Sequence, residues 1–238
     1  MEKNDFVWAD LSTYYLSEAK NFYSEVFLWE FYADECYHTA FQADYPCCAL
    51  FEMPAFFQKI KMPSFWMSYI AVDDLASSVT LADQLGAKIE LVDEKNPNGK
   101  IALIRDPLGA GFTICEGKNY PVSRKNNTHG AMMWNELHVS SIPAVRSFYS
   151  KLFEWKLIDK DAYSVQILDT YDRHIANIYE MDDTTRGGYE YWAVYFGVKD
   201  LDQSKSKVIQ AGGTILSSED NRVFVSDPFG AFFGLLQI

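Results

Sequence analysis

The apolar positions of this chain follow two alternating periods. Ala19, Phe22, Tyr23, Val26 and Phe27 stand at i, i+3, i+4, i+7 and i+8, the spacing of one apolar helix face. Val145, Phe148, Tyr149, Leu152 and Phe153 reproduce that face in the second half. Two further segments, "DLASSVTLADQLGA" from Asp74 to Ala87 and "DLDQSKSKVIQAGG" from Asp200 to Gly213, open on an aspartate suited to an N-cap and close at glycine, so they predict helices. Around them lie short runs rich in branched and aromatic residues: "FVWADLS", "CCALFEM", "FWMSYIAV", "IALIRD" and "GFTICEG". Each half reads as strand, helix, two or three strands, then strand, helix, three strands.

The halves are copies of one another. "NFYSEVFLWEF" (Asn21 to Phe31) matches "SFYSKLFEWKL" (Ser147 to Leu157), and Trp8, Phe22, Trp29 and Tyr69 return as Trp134, Phe148, Trp155 and Tyr195, each 126 residues later. The aspartate of a DP turn recurs after 121 residues (227 minus 106), which needs only a shorter hairpin in the second copy. "RDPLGAGFTICEG" and "SDPFGAFFGLLQI" carry that turn, and the second sets Gly234 inside an apolar strand, where a glycine signals a bulge or a close approach. "GKNYPVSRKNNTHG", 117–130, is polar and turn-rich and reads as a linker between copies.

Composition narrows the functional classes. At 238 residues and 48% hydrophobic, the chain suits one large domain or two of about 120 residues each. Its start, "MEKNDFVWADLS", lacks a secretory pattern, and no apolar run approaches a membrane span, so a cytoplasmic protein without membrane contact is expected. Four cysteines (Cys36, Cys47, Cys48, Cys115), two of them adjacent and none in a CxxC pair, argue against a disulfide framework and structural zinc. Acidic residues outnumber basic ones 33 to 21, a net charge of −12, and the lone basic cluster is "SRK" at 123–125, which disfavours nucleic acid as a partner.

The segments "WADLSTYYLSEAKNFYSEVFLWEF", "YIAVDDLASSVTLADQLGA", "RDPLGAGF", "WNELHVSSIPAVRSFYSKLFEW" and "SDPFGAFFG" resemble the vicinal oxygen chelate superfamily, the glyoxalase, bleomycin-resistance and extradiol dioxygenase group, and its tandem two-domain glyoxalase-like members in particular. The resemblance covers nearly the whole chain. It implies an α+β fold of four βαβββ modules forming two tandem incomplete β-barrel domains at 1–116 and 131–238, with cleft-bound substrate and often a divalent metal. Short links favour pairing of modules within a copy, and the resemblance leaves pairing across copies or subunits as the alternative. A tandem chain supplies the contact that single-domain relatives obtain by dimerising, so a monomer is expected, with a homodimer as the alternative.

The resemblance also sets a test for metal. A His or Gln ligand would fall seven residues before the Asp register of each module, on Trp8, Met67, Trp134 and Ala193; a last-strand Glu would fall on Thr113 and Gly234. None of these is a usable donor. Glu52 and Glu180 alone keep a family ligand position, and one carboxylate per cleft is not a metal site. No metal and no other cofactor are therefore expected.

Strand alternation supplies other candidates. Trp8 shares a face with Asp10, Trp134 with Glu136 and His138, and Tyr191 with Tyr195. Aromatic clefts with an acid on the floor suit a small aromatic or cationic ligand. The ligand-binding candidates are Trp8, Asp10, Tyr69, Thr113, Trp134, Glu180, Tyr191, Tyr195 and Gly234, and the catalytic candidates are Glu136 and His138. Three functions fit this set: a metal-free small-molecule binder of the bleomycin-resistance kind, a glyoxalase-like lyase or isomerase using Glu136 and His138 as acid and base, and a regulatory or structural module with vestigial pockets.

Overall fold

A computed structural model describes residues 2–34, 37–59, 61–117, 124–125 and 127–238. Cys36, Ser123 and half of the expected linker, 118–123 and 126, lie outside the described residues. Within them the chain forms sixteen strands and six helices in an α+β fold.

Four modules share one pattern. The first runs β1 Phe6–Thr13, α1 Leu16–Phe27, β2 Glu30–Asp34, β3 Tyr37–Gln42 and β4 Tyr45–Glu52. A short helix, α2 Ala55–Lys59, leads into β5 Phe65–Ala71, α3 Leu75–Gln84, β6 Lys88–Asp93, β7 Lys100–Arg105 and β8 Gly111–Glu116. The third module is β9 Met132–Val139, α4 Ile142–Leu152, β10 Lys156–Asp159, β11 Ser164–Leu168 and β12 His174–Glu180. After α5 Asp183–Arg186, the fourth is β13 Tyr191–Val198, α6 Leu201–Gln210, β14 Thr214–Ser218, β15 Arg222–Ser226 and β16 Phe232–Gln237. In every module the first strand pairs in parallel with the fourth, and the last three strands form an antiparallel meander. A parallel pair needs a crossover, and the module helix supplies it.

The local signals hold where they are strongest. Asp74 caps α3 by accepting from the Ser77 N–H at 2.9 Å, and Asp200 caps α6 by accepting from the Gln203 N–H at 2.8 Å. The predicted apolar face of α1 is buried at all five positions, as is that of α4 through Val145, Phe148, Tyr149, Leu152 and Phe153.

Contacts gather the modules into two compact units, and each unit draws on both copies. One comprises Met1–Val7, Ser68–Pro121 and Asn135–Ala193; the other comprises Trp8–Met67, Val122–Trp134 and Val194–Ile238. The first unit thus holds most of modules two and three, and the second most of modules one and four. This grouping differs from the division by sequence copy at 1–116 and 131–238 and from a pairing set by short links.

The aromatic helix faces account for it. In the first unit Phe148 and Tyr149 of α4 and Phe153 at its C-terminal end meet Phe112 of β8, with ring centroids 5.8–6.2 Å apart. In the second, Tyr23 and Phe27 of α1 lie 5.4 and 6.0 Å from Phe233 of β16, and Phe27 lies 5.3 Å from Phe196 of β13. Aromatic pairs at these separations add to the burial of large apolar surfaces. The hydroxyls in these cores are paired too. Trp192 Nε1 donates to Tyr149 Oη at 2.9 Å, and Tyr149 donates to Asp106 at 3.0 Å; Trp66 donates to Tyr23 at 3.0 Å, and Tyr23 donates to Asp227 at 2.9 Å. Each line joins a helix tyrosine of one copy to the DP-turn aspartate of the other.

No helix among the described residues is long and apolar enough to cross a membrane. Cys47, Cys48 and Cys115 are buried thiols, and burial pushes the Cys47 thiol up to about 12, which leaves it unreactive.

Candidate functional site

The first unit holds the richest constellation of buried polar groups. β9 places Glu136 and His138 on one face, 2% and 3% exposed. His138 Nε2 lies 3.4 Å from a Glu136 carboxylate oxygen, and His138 Nδ1 lies 3.0 Å from Tyr191 Oη at the start of β13. With Glu136 ionised, Nε2 carries a proton toward it, and in the neutral imidazole Nδ1 accepts the Tyr191 hydroxyl. Burial raises the Tyr191 phenol well above its ordinary range, with Arg186 opposing and Glu136 reinforcing the shift, so it remains a donor at neutral pH. The result is a carboxylate, imidazole and phenol in one hydrogen-bonded line, with Tyr191 its least buried member.

The neighbouring strand extends the site. β12 runs beside β9 with Asn177 opposite Glu136 and Tyr179 opposite His138. The Tyr179 and His138 rings meet edge to face at 6.1 Å, and Asn177 donates to Tyr179 Oη at 3.1 Å. Tyr179 and Asn177 were missed in the sequence because their membership depends on strand register across the module, although alternation already places them on a common face. Arg186, a buried cation in a connector, was missed for the same kind of reason.

The other sequence candidates separate. Tyr69 and Thr113, both buried, are register partners on the parallel strands β5 and β8 of the first unit. Glu180 also belongs to that unit, where its carboxylate accepts from the Ile142 N–H at 2.8 Å and so caps α4. Glu116 and Gln237 make the matching bonds to Leu75 and Leu201, at 2.8 and 2.9 Å. The last residue of the fourth strand is thus a helix cap in three modules, and Glu52, at the fourth such position, is exposed.

Trp8, Asp10, Trp134, Tyr195 and Gly234 belong to the second unit. There Trp8 Nε1 donates to the buried Asp10 carboxylate at 2.6 Å and lies 3.4 Å from Tyr37 Oη. Trp134 is half-buried under the Arg124 guanidinium, 5.6 Å from its ring centroid. Tyr195 and Gly234 are register partners on β13 and β16, and the Tyr195 ring lies directly over the glycine, so a Cβ there would fall inside the ring. Close packing explains this glycine.

The chain superposes on the Mn(II)-bound glyoxalase from Novosphingobium aromaticivorans with a TM-score of 0.70 at 12% identity, covering 99% of this chain and 82% of that one. It superposes on an extradiol ring-cleaving dioxygenase from B. fuscum with a TM-score of 0.69 at 14% identity, covering 99% and 73%. The fold is that of the vicinal oxygen chelate proteins.

Curated relatives add sequence likeness over most of the chain. CFP32 of Mycobacterium tuberculosis, whose name carries a provisional assignment as a glyoxylase, is 27% identical over 247 residues, covering 97% of this chain and 93% of that protein. The anthracycline biosynthesis protein DnrV of Streptomyces peucetius is 24% identical over 185 residues, covering 74% and 67%. No family model matches the sequence. The chain shares this fold with the glyoxalase and dioxygenase structures and is similar in sequence to relatives named for glyoxylase and for anthracycline biosynthesis.

The Novosphingobium glyoxalase of this fold is Mn(II)-bound, and the donor set here does not fit such an ion. Among the described residues no three His, Cys, Asp or Glu side chains gather as a metal-binding group. The register positions for ligands carry Trp8, Met67, Trp134, Ala193, Thr113 and Gly234, the space over Gly234 holds the Tyr195 ring, and the Glu180 carboxylate is bonded to a helix end.

Proposed function

We propose that this chain is a metal-independent glyoxalase-like protein that binds a small aromatic or cationic molecule at the Glu136, His138 and Tyr191 cluster. The observation that carries this reading is the buried hydrogen-bonded line of those three side chains, flanked by the Tyr179 ring. It offers aromatic walls, a phenol at its less buried end and a carboxylate behind it, which suits a flat ligand with one polar anchor. The relative named for anthracycline biosynthesis supports an aromatic ligand.

Native mass spectrometry of the full chain, followed by calorimetric titration with a panel of aromatic amines and neutral aromatics, tests it. Saturable binding that is indifferent to EDTA and weakened at least about tenfold by Glu136→Gln is expected, the scale of one lost charged hydrogen bond. Absence of saturable binding, or binding that EDTA abolishes and Mn(II) restores, would sink the proposal.

The same line of bonds favours a second reading, a lyase or isomerase in which Glu136 and His138 exchange a proton with substrate. Turnover that disappears in both Glu136→Gln and His138→Gln would select this reading. Binding without turnover selects the first.

A further inference from the structure

We infer that Arg186 is a positioning residue of this site, acting through Glu190 and Ser140 to hold Tyr191 against His138. The inference rests on reading Glu136, His138 and Tyr191 as the ligand site. Arg186 is 2% exposed, an expensive place for a cation unless every donor is met. Its Nε donates to the Met181 carbonyl at 3.1 Å, its Nη1 donates to the Tyr189 carbonyl at 2.7 Å and lies 3.2 Å from Glu190, and its Nη2 pairs with Asp183. These bonds fold the connector between β12 and β13 around one guanidinium.

Glu190 carries the effect onward. Its carboxylate accepts from the Ser140 N–H at 2.8 Å and from the Ser140 hydroxyl at 2.6 Å. Ser140 directly follows β9, the strand of Glu136 and His138, and Glu190 directly precedes Tyr191. The carboxylate therefore ties the end of one site strand to the start of the other. Tyr191 Oη stands 3.0 Å from His138 Nδ1 next to that tie.

The duplication provides an independent comparison. At the 126-residue offset, Glu136, His138 and Tyr191 correspond to Asp10, Ser12 and Phe65, while Ser140 and Glu190 correspond to Tyr14 and Ser64. The first copy lacks the imidazole, the phenol and the carboxylate tie together. Its connector is also two residues longer, since Met53 to Phe65 spans 12 positions and Met181 to Tyr191 spans 10. The tie and the groups it would position occur in the same copy.

The imidazole itself reports on this without any ligand. In full-length protein labelled with 15N-histidine, the His138 Nδ1 resonance reads its hydrogen bond, and Tyr191→Phe defines the unbonded value. Glu190→Ala and Arg186→Met are expected to move the resonance at least halfway toward that value, while Glu190→Gln, which still accepts from Ser140, moves it less than Glu190→Ala. Arg186 is buried and its variant is vulnerable to misfolding, so Glu190→Ala and Ser140→Ala, at more accessible positions, carry the decision, with a native circular dichroism spectrum as the control. A wild-type Nδ1 resonance in folded Glu190→Ala and Ser140→Ala, or in Tyr191→Phe, overturns the inference. Failure of every aromatic probe to bind would remove the ligand reading and leave this resonance test to be judged by itself.

Discussion

Gly234 and Asp227 show how much one position depends on its neighbour. The Tyr195 ring occupies the volume a side chain at 234 would need, so Gly234→Ala is expected to cost about 1–3 kcal/mol through overpacking. Urea denaturation measures this, and Tyr195→Ala in the same chain should relieve most of the loss; an additive double mutant would contradict the account. Asp227 is the other case. Burial lifts its carboxyl from 3.8 to about 6, against the pull of the Ala231 N–H and the Tyr23 hydroxyl. A folded-state value above the unfolded one means that the folded chain holds the extra proton. This contribution to stability is complete below about 3.8 and is lost as pH rises through about 6, by roughly 3 kcal/mol at most. Asp227→Asn should flatten that segment of the stability profile in urea titrations at successive pH values. An unchanged slope between pH 4 and pH 7 would show that another group is responsible.

At the scale of the element, the module helices are fixed from both ends of the pattern. The Asp74 and Asp200 caps were legible because an aspartate before an apolar-periodic run has a local meaning. The bonds from Glu116, Glu180 and Gln237 to the helix starts were not, because they span 36 to 41 residues and depend on the fourth strand lying parallel to the first. Glu180 reads in the sequence as a ligand candidate, and the structure shows its carboxylate serving α4. Glu180→Ala should therefore lower stability by about 1 kcal/mol, the usual cost of a lost helix cap. Chemical denaturation checks it, and a loss below the error of the measurement would mean that water replaces the carboxylate at no cost. Glu136 and His138 were legible by alternation and Tyr191 stood among the ligand-binding candidates, whereas Tyr179 and Arg186 arrive from other elements.

For the whole molecule, the two copies are interdependent. Tyr23 of the first copy bonds Asp227 of the second, and Tyr149 of the second bonds Asp106 of the first. A chain ending at residue 116 would leave the aromatic faces of α1 and β8 exposed and the partners of Tyr23 and Asp106 missing, so it should fail to give a dispersed 1H-15N spectrum. Co-expression with 131–238 should restore one. A well-folded isolated first copy would refute this dependence. The cost is that of exposing large apolar faces and stranding buried polar groups, each of which is destabilising by itself.

The sequence by itself determined the four modules, the duplication, the helix caps at Asp74 and Asp200 and the common face of Glu136 and His138. All of these rest on periodicity or spacing within about a dozen residues, or on direct repetition. Only the tertiary structure decided which modules share a compact unit, that Tyr195 fills the space over Gly234, that Glu180 caps a helix and that Arg186 and Glu190 stand beside the candidate site. Those are contacts between segments far apart in the chain, set by which apolar faces pack together, and side-chain pattern along a single strand or helix does not encode its partner.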